Sequence, residues 1–349
     1  MNGTRHLLVA RAHPALLSIV IPIYNEQEAL PHLRERLTAC MAAFGCGCEV
    51  LLVNDGSQDG SLDVLVNWAQ ADRRIRVLNF ARNFGHQAAC TAGMDEARGD
   101  AVVIIDADLQ DPPEVIADMI AEYRRGYDVV YGKRASRAGE TAFKRFTAWA
   151  FYRTMRRLIH PDLPADAGDF RLISRSCLDA VKSMRETHRF LRGMISWVGF
   201  PQTAVTYARS ARVAGETKYP LSKMMRLAWT AAVSFSPKPL RVSFLLGLIV
   251  AAIGMLQAAN AVIRSMLGLY VVPGWTSLIV VNCLVGGAIL ISIGVLGEYV
   301  GRIFEASKER PLYLIATRIE HPISAAAVVH DSVPVQLATL ARMGAEHDR

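Results

Sequence analysis

The stretch "IIDADLQDPPE", Ile104–Glu114, decides how the rest of the chain reads. The run into it, Ala101 to Ile105, is continuous, apolar and mostly β-branched, the pattern of a strand covered on both faces. It meets Asp106, Asp108 and Asp111 and halts at Pro112 and Pro113, which forbid a continued ladder and allow a helix to start near Glu114. Asp106 and Asp108 are two positions apart, so on an extended chain they point the same way. An Asp-x-Asp by itself is an ordinary polar turn. Two convergent carboxylates with no basic partner in the same segment also suit a hard divalent cation.

The upstream segments weigh between those readings. Ser18–Ile23 reads as a strand, Glu26 to about Phe44 as a helix with Leu30, Leu33 and Leu37 on one face, and Glu49–Val53 as a second strand. A helix over Leu62–Ala69, a third strand in "RIRVLNF" and a helix from Gln87 to Ala97 lead to the strand that ends at Asp106. Such alternation predicts an α/β fold with a mostly parallel, Rossmann-like sheet, in which ligands bind outside the carboxyl ends of the strands. "YNE" (Tyr24–Glu26), "NDGS" (Asn54–Ser57) and "DADLQ" all follow strands, so three acidic clusters converge on one edge. No GxGxxG follows the first strand and no GxxxxGK[ST] occurs, which counts against a dinucleotide oxidoreductase and a P-loop NTPase. An acidic pocket without a glycine cradle needs a metal to hold a diphosphate.

In order, "VIPIYNE", "VNDGSQDGS", "RNFGHQAACTAGMDEARGD", "DADLQDPPE", "GDFRLISR" and "AGETKYPLSKM" resemble the successive motifs of family-2 glycosyltransferases with the GT-A fold. More narrowly, the chain from Leu17 to Ile315 resembles the polyprenyl-phosphate glycosyltransferases, the group that includes bactoprenol glucosyltransferases and dolichol-phosphate mannose synthases. The resemblance implies a donor pocket lined by Pro22, Tyr24, Glu26 and Asp55, with Asp55 near the base, where a carboxylate can accept an imide N–H. It implies that Asp106, Asp108 and Gln110 hold Mg2+ or Mn2+ and the donor sugar, Asp108 counting also as catalytic. Asp169 matches the acceptor-side carboxylate usually called the base. A phosphate monoester has its second pKa near ~6, so a lipid phosphate is largely ionised at neutral pH and Asp169 can equally serve to orient it. Arg171, two residues on, and Arg134 and Arg137 are expected to meet the acceptor phosphate. Arg209, Arg212 and Lys218, around Gly215, match a loop that closes over the donor diphosphate.

Composition and membrane patterning agree with that group. The 349 residues are 52% hydrophobic with mean hydropathy +0.21, and two uncharged stretches, Phe244–Ile263 and Leu278–Leu296, carry the excess. Lys238 and Arg241 before the first, and Arg302, Lys308 and Arg310 after the second, place both outer flanks in the cytosol, with no signal peptide expected ahead of them. The basic balance, +7 with pI near 9.2, then faces anionic lipid and not nucleic acid. Six scattered cysteines without metal-site spacing fit a reducing compartment. The basic, aromatic run "TAFKRFTAWAFYRTMRRLIH" is expected at headgroup level.

The expected organisation is a tail over 1–16, the GT-A domain over 17–218, an interfacial amphipathic helix region over 219–240, a two-helix transmembrane hairpin over 241–300, and a cytosolic C-terminal helix and tail over 301–349. The expected reaction is inverting transfer of one sugar to polyprenyl (undecaprenyl) phosphate on the cytosolic face of the inner membrane. UDP-glucose is the first-choice donor; UDP-N-acetylhexosamine, UDP-galactose, a UDP-aminopentose, GDP-mannose or an inactive regulatory homologue are the alternatives. The resemblance further implies a homo-oligomer up to a tetramer, a separate flippase and a downstream glycosyltransferase that uses the product in envelope glycans.

Overall fold

The computed structural model describes residues 7–134, 167–187, 189–208, 238–267 and 275–320. Strands β1 (Leu16–Ile23), β2 (Gly47–Asn54), β3 (Ile75–Phe80) and β4 (Ala101–Ile104) alternate with helices α1 (Leu30–Ala43), α2 (Ser61–Ala71) and α3 (His86–Glu96). After a 3-10 turn at Pro113–Val115 come α4 (Ile116–Arg124), β5 (Val129–Arg134), β6 (Ala167–Ser174), α5 (Arg175–Ser183), α6 (Leu191–Trp197) and β7 (Gln202–Tyr207). Two long helices, α7 (Lys238–Met266) and α8 (Trp275–Ser307), precede a last strand, β8 (Ile315–Glu320).

The strands form one sheet in the order β7-β5-β6-β4-β1-β2-β3-β8. β3, β2, β1 and β4 are mutually parallel, β6 runs antiparallel between β4 and β5, and β7 is parallel to β5. Their continuous apolar runs follow from cover on both faces. Leu17, Ile19 and Ile21 of β1 pack with Leu33 and Leu37 of α1, Trp68 of α2 and Met119 of α4. Val20, Val102 and Ile104 face Cys90 and Met94 of α3, Leu178 of α5 and Met194 of α6. At Gly93 α3 comes so near the sheet that a Cβ would lie 2.2 Å from Val20 Cγ1. Only glycine permits that approach.

Two expectations change. The first helix begins at Leu30 and not at Glu26. Asn25 takes a left-handed conformation (φ 54°) and its side chain accepts the Gln58 N–H, while the Glu26 N–H goes to Ser61 Oγ. These bonds hold residues 24–27 against the loop after β2 instead of in a helical turn. The segment after α8, expected as helix and tail, returns to the sheet as β8, antiparallel to β3. Both apolar stretches are helical. Among the described residues one of them, Leu284–Ser307, is long and apolar enough to cross a membrane, and Val242–Gln257 is a shorter apolar stretch.

Candidate active site

The carboxyl ends of β1 to β4 open on one edge of the sheet, and each is followed by a left-handed residue: Asn25, Gly56, Gly85 and Leu109. These reversals bring the loops together. A Cβ on Gly56 would sit 2.6 Å from the backbone of Arg82 and Asn83, so the loops after β2 and β3 touch at a position that only glycine fills. The Asn25 N–H donates to Ser57 Oγ, and the Gly60 N–H to Gln27 Oε1, so the loops after β1 and β2 also interlock.

On the β1–β2 side of this edge, Pro22 is buried in β1 opposite Val53, and Glu26 is half-buried. The Tyr24 ring is 45% exposed, open to a flat partner. Asp55 is 3% exposed, and its carboxylate accepts the N–H groups of Phe84 (2.7 Å) and Gly85 (2.9 Å). Desolvation raises its pKa against the pull of those two amides. Asp55 therefore organises the loop after β3, where the Arg82 guanidinium lies 4.0 Å over the Phe84 ring.

The acidic centre follows β4. Asp106 has its pKa pushed up to about 6, first by desolvation and then, against the pull of His86, by repulsion from Asp169, Asp111 and Asp108. Asp108 is buried and its Oδ1 accepts the N–H of Gln110 across the left-handed Leu109. Asp111, also buried, accepts the Tyr207 O–H at the end of β7 and lies 3.8 Å from Arg134 Nη2 at the end of β5. Arg134 Nε is buried and finds no acceptor among the described residues.

Asp169 sits near the start of β6, which runs antiparallel to β4 and so brings it to the same edge. Arg192 of α6 donates through Nε to Oδ1 (2.7 Å) and through Nη2 to Oδ2 (3.0 Å). His86 Nε2 lies 3.2 Å from Asp169 Oδ2 and 3.9 Å from Asp106 Oδ1. Desolvation would raise the Asp169 pKa, but Arg192, His86 and Arg171 outweigh it and hold the carboxyl well below its usual range. For His86 desolvation opposes protonation, and Cys90, Asp169 and Asp106 override it, so its pKa is raised. Arg171 is 4% exposed and donates to the Gly168 carbonyl. Buried in this way, its guanidinium acts on Asp169 through its charge and is not open to an arriving phosphate.

The donor set suits a hard cation in its chemistry: Asp106 and Asp108 offer carboxylate oxygens at one edge, with Asp111 and Asp169 adding negative charge near Asp106. Among the described residues no three His, Cys, Asp or Glu side chains converge at metal-ligand spacing. An ion at Asp106 and Asp108 would then complete its shell with diphosphate oxygens and water, the habit of Mg2+ in phosphate sites. Arg137, Arg209, Arg212, Lys218 and the run at 141–160 lie outside the described residues.

His86, Arg192, Asp111 and Tyr207 were not singled out from sequence. His86 stands inside a quoted motif next to Gly85, a signal that could have found it. Arg192 carries no such mark, because its value arises only when α6 folds over β6.

The description "Glycosyl transferase family 2" matches residues 18–182. An uncharacterized glycosyltransferase YkcC of Bacillus subtilis is 46% identical, covering 85% of this chain and 92% of its own length. The bactoprenol glucosyl transferase of Shigella phage SfV is 40% identical, covering 86% of this chain and 97% of its own. Among solved structures, a glucosyl-3-phosphoglycerate synthase from Mycobacterium tuberculosis is 17% identical over 63% of this chain and 76% of that one, with a TM-score of 0.47. That last likeness is too distant to bear on ligands.

Proposed function

The chain belongs to glycosyl transferase family 2, in its polyprenyl-phosphate group, and from that premise we propose that it transfers one sugar, with inversion, from a nucleotide-sugar to polyprenyl phosphate. The observation that carries this reading is the junction at one sheet edge of the donor-side carboxylates, Asp106 and Asp108, with Asp169, a carboxylate enclosed by cations.

In the transfer, an oxygen of the lipid phosphate forms the bond to the anomeric carbon as the bond to the nucleotide diphosphate breaks. The electron pair leaves with the diphosphate. Mg2+ or Mn2+ held by Asp106 and Asp108 would supply positive charge to that leaving group. Tyr24 offers a face to the base, and Asp55 keeps the 84–85 loop in place behind the donor. The acceptor arrives ionised, so no proton need be removed from it. With its two oxygens engaged by Arg192 and His86, Asp169 holds these cations in place instead of collecting a proton. Arg134 stands at the same edge with its side chain 28% exposed, a guanidinium suited to a phosphate oxygen.

The pairing of β8 with β3 supports two membrane crossings. Strands of one sheet lie on one side of a bilayer, so the chain between them crosses an even number of times. Crossing by α8 then requires crossing by α7, with the catalytic domain on the cytosolic face of the inner membrane. That relatives are named glucosyl transferases supports glucose as the sugar, and UDP-glucose is the donor we propose. The product would need a flippase and a second transferase, since two helices provide no path for a sugar.

The test is a donor screen. Membranes overexpressing the protein receive each radiolabelled nucleotide-sugar with undecaprenyl phosphate and Mg2+ or Mn2+, and the organic phase is counted. Label from one donor establishes the reaction and its sugar together. A folded protein that labels no lipid from any of these donors overturns the reading.

A further inference from the structure

We infer that Arg192 is a positioning residue of this reaction: its forked ion pair fixes the Asp169 carboxylate and, through it, the His86 imidazole at the seam between donor and acceptor. The inference rests on the transfer reaction proposed above and adds a residue that none of its motifs contains.

Both oxygens of Asp169 are met by Arg192, at 2.7 and 3.0 Å, in the side-on geometry that only a guanidinium provides. Oδ2 is also 3.2 Å from His86 Nε2, which must carry its hydrogen to approach a carboxylate. Three N–H groups thus occupy most of the lone-pair directions of one planar group, so Asp169 can neither rotate nor turn toward solvent without losing a charge-assisted bond. His86 in turn reaches Asp106 Oδ1 at 3.9 Å. A line of contacts therefore runs Arg192–Asp169–His86–Asp106 from α6 through β6 and α3 to the end of β4, across the place where the two substrates meet. Each member comes from a different element, and Arg192 is the outermost. The fork to Asp169 is the contact through which it acts on the reaction.

The test uses the full-length protein in membranes and the donor that wild type is found to use. Arg192→Ala is expected to lower kcat by ~100-fold, the scale of a misplaced group, with UDP affinity unchanged. Arg192→Lys should stay close to the alanine variant, because an ammonium cannot make the fork. Asp169→Asn with Arg192→Ala should be no slower than Asp169→Asn alone, because the arginine has then nothing to position. Multiplicative losses in the double variant, or Arg192→Ala within a few-fold of wild type, overturn the inference. If Arg192→Ala loses UDP affinity along with turnover, the residue is structural and the inference also fails; Arg192→Gln, which keeps length and one donor, repeats the comparison should the alanine variant not fold. A wild type without lipid product sinks the function itself and this inference with it, whereas an active wild type with an unaffected Arg192→Ala sinks only the inference.

Discussion

Asp55 turns its carboxylate into its own chain. Its two oxygens hold the Phe84 and Gly85 amides, and those amides close the loop that presents Arg82 and starts α3 at His86. Asp55→Ala should take the acceptor from both part-buried amides, at most about 1–3 kcal/mol each, loosening the loop. The expected result is a lower Tm and weaker UDP binding together, with Asp55→Asn milder because its amide oxygen still accepts. Equal, wild-type-like behaviour of both variants would show that the loop stands without Asp55. Asp108 is the contrasting case. Asp108→Asn removes one negative charge from a crowded edge, so the fold should be kept or slightly gain stability while turnover falls ~100-fold or more. Chelator treatment of the wild type should reproduce that loss, and added Mg2+ or Mn2+ should restore it. Near-normal turnover in Asp108→Asn would refute a metal at this carboxylate.

The elements differ in how openly the sequence announced them. β1 to β4 were legible because both faces are covered, which demands unbroken apolar runs, and the polar loops after them fell at the ligand edge of a parallel sheet. β8 was not. "IATRIE" has a strand's alternation, but its partner β3 lies more than two hundred residues upstream, and two membrane-type helices intervene. The candidate site divides the same way: Asp106, Asp108 and Asp169 stand out within their own segments, while the His86–Asp169 and Arg192–Asp169 contacts join segments 83 and 23 residues apart and exist only after folding. β8 is secured by charge as well as by its ladder. Arg76 is buried and contacts Glu49 (3.4 Å), Glu96 (3.4 Å) and Glu320 of β8 (2.8 Å). Arg76→Ala would leave the buried Glu49 carboxylate with the neutral donors Ser18 Oγ and the Arg98 N–H, a loss of at most about 3–5 kcal/mol. Glu320→Gln, at a side chain 45% exposed, should cost about 1 kcal/mol or less. Thermal unfolding in detergent compares the two, and equal shifts in Tm would mean that Glu49 is not held by Arg76.

For the whole molecule the constraint is topological. β3 and β8 share a ladder, Tyr313 stacks on Phe80 at 5.3 Å, and its hydroxyl donates to Asp95. The chain leaving α8 is therefore seated on the catalytic domain beside α3, and a bilayer cannot pass between them. A single crossing by Leu284–Ser307 would tear β8 from the sheet, so α7 and α8 cross together or not at all. Basic residues on both outer flanks favour crossing together with those flanks inside, and only Arg264 marks the inner ends of the pair. Cysteine labelling separates the alternatives, with the parent protein as background. Gly268→Cys, in the connection between the helices, should react with a membrane-impermeant maleimide on intact cells. Leu312→Cys, just ahead of β8, should react only after the cells are opened. Gly268→Cys that stays silent until the cells are opened would mean that neither helix crosses. Reaction of both variants on intact cells would place β8 outside, incompatible with its ladder to a cytosolic β3.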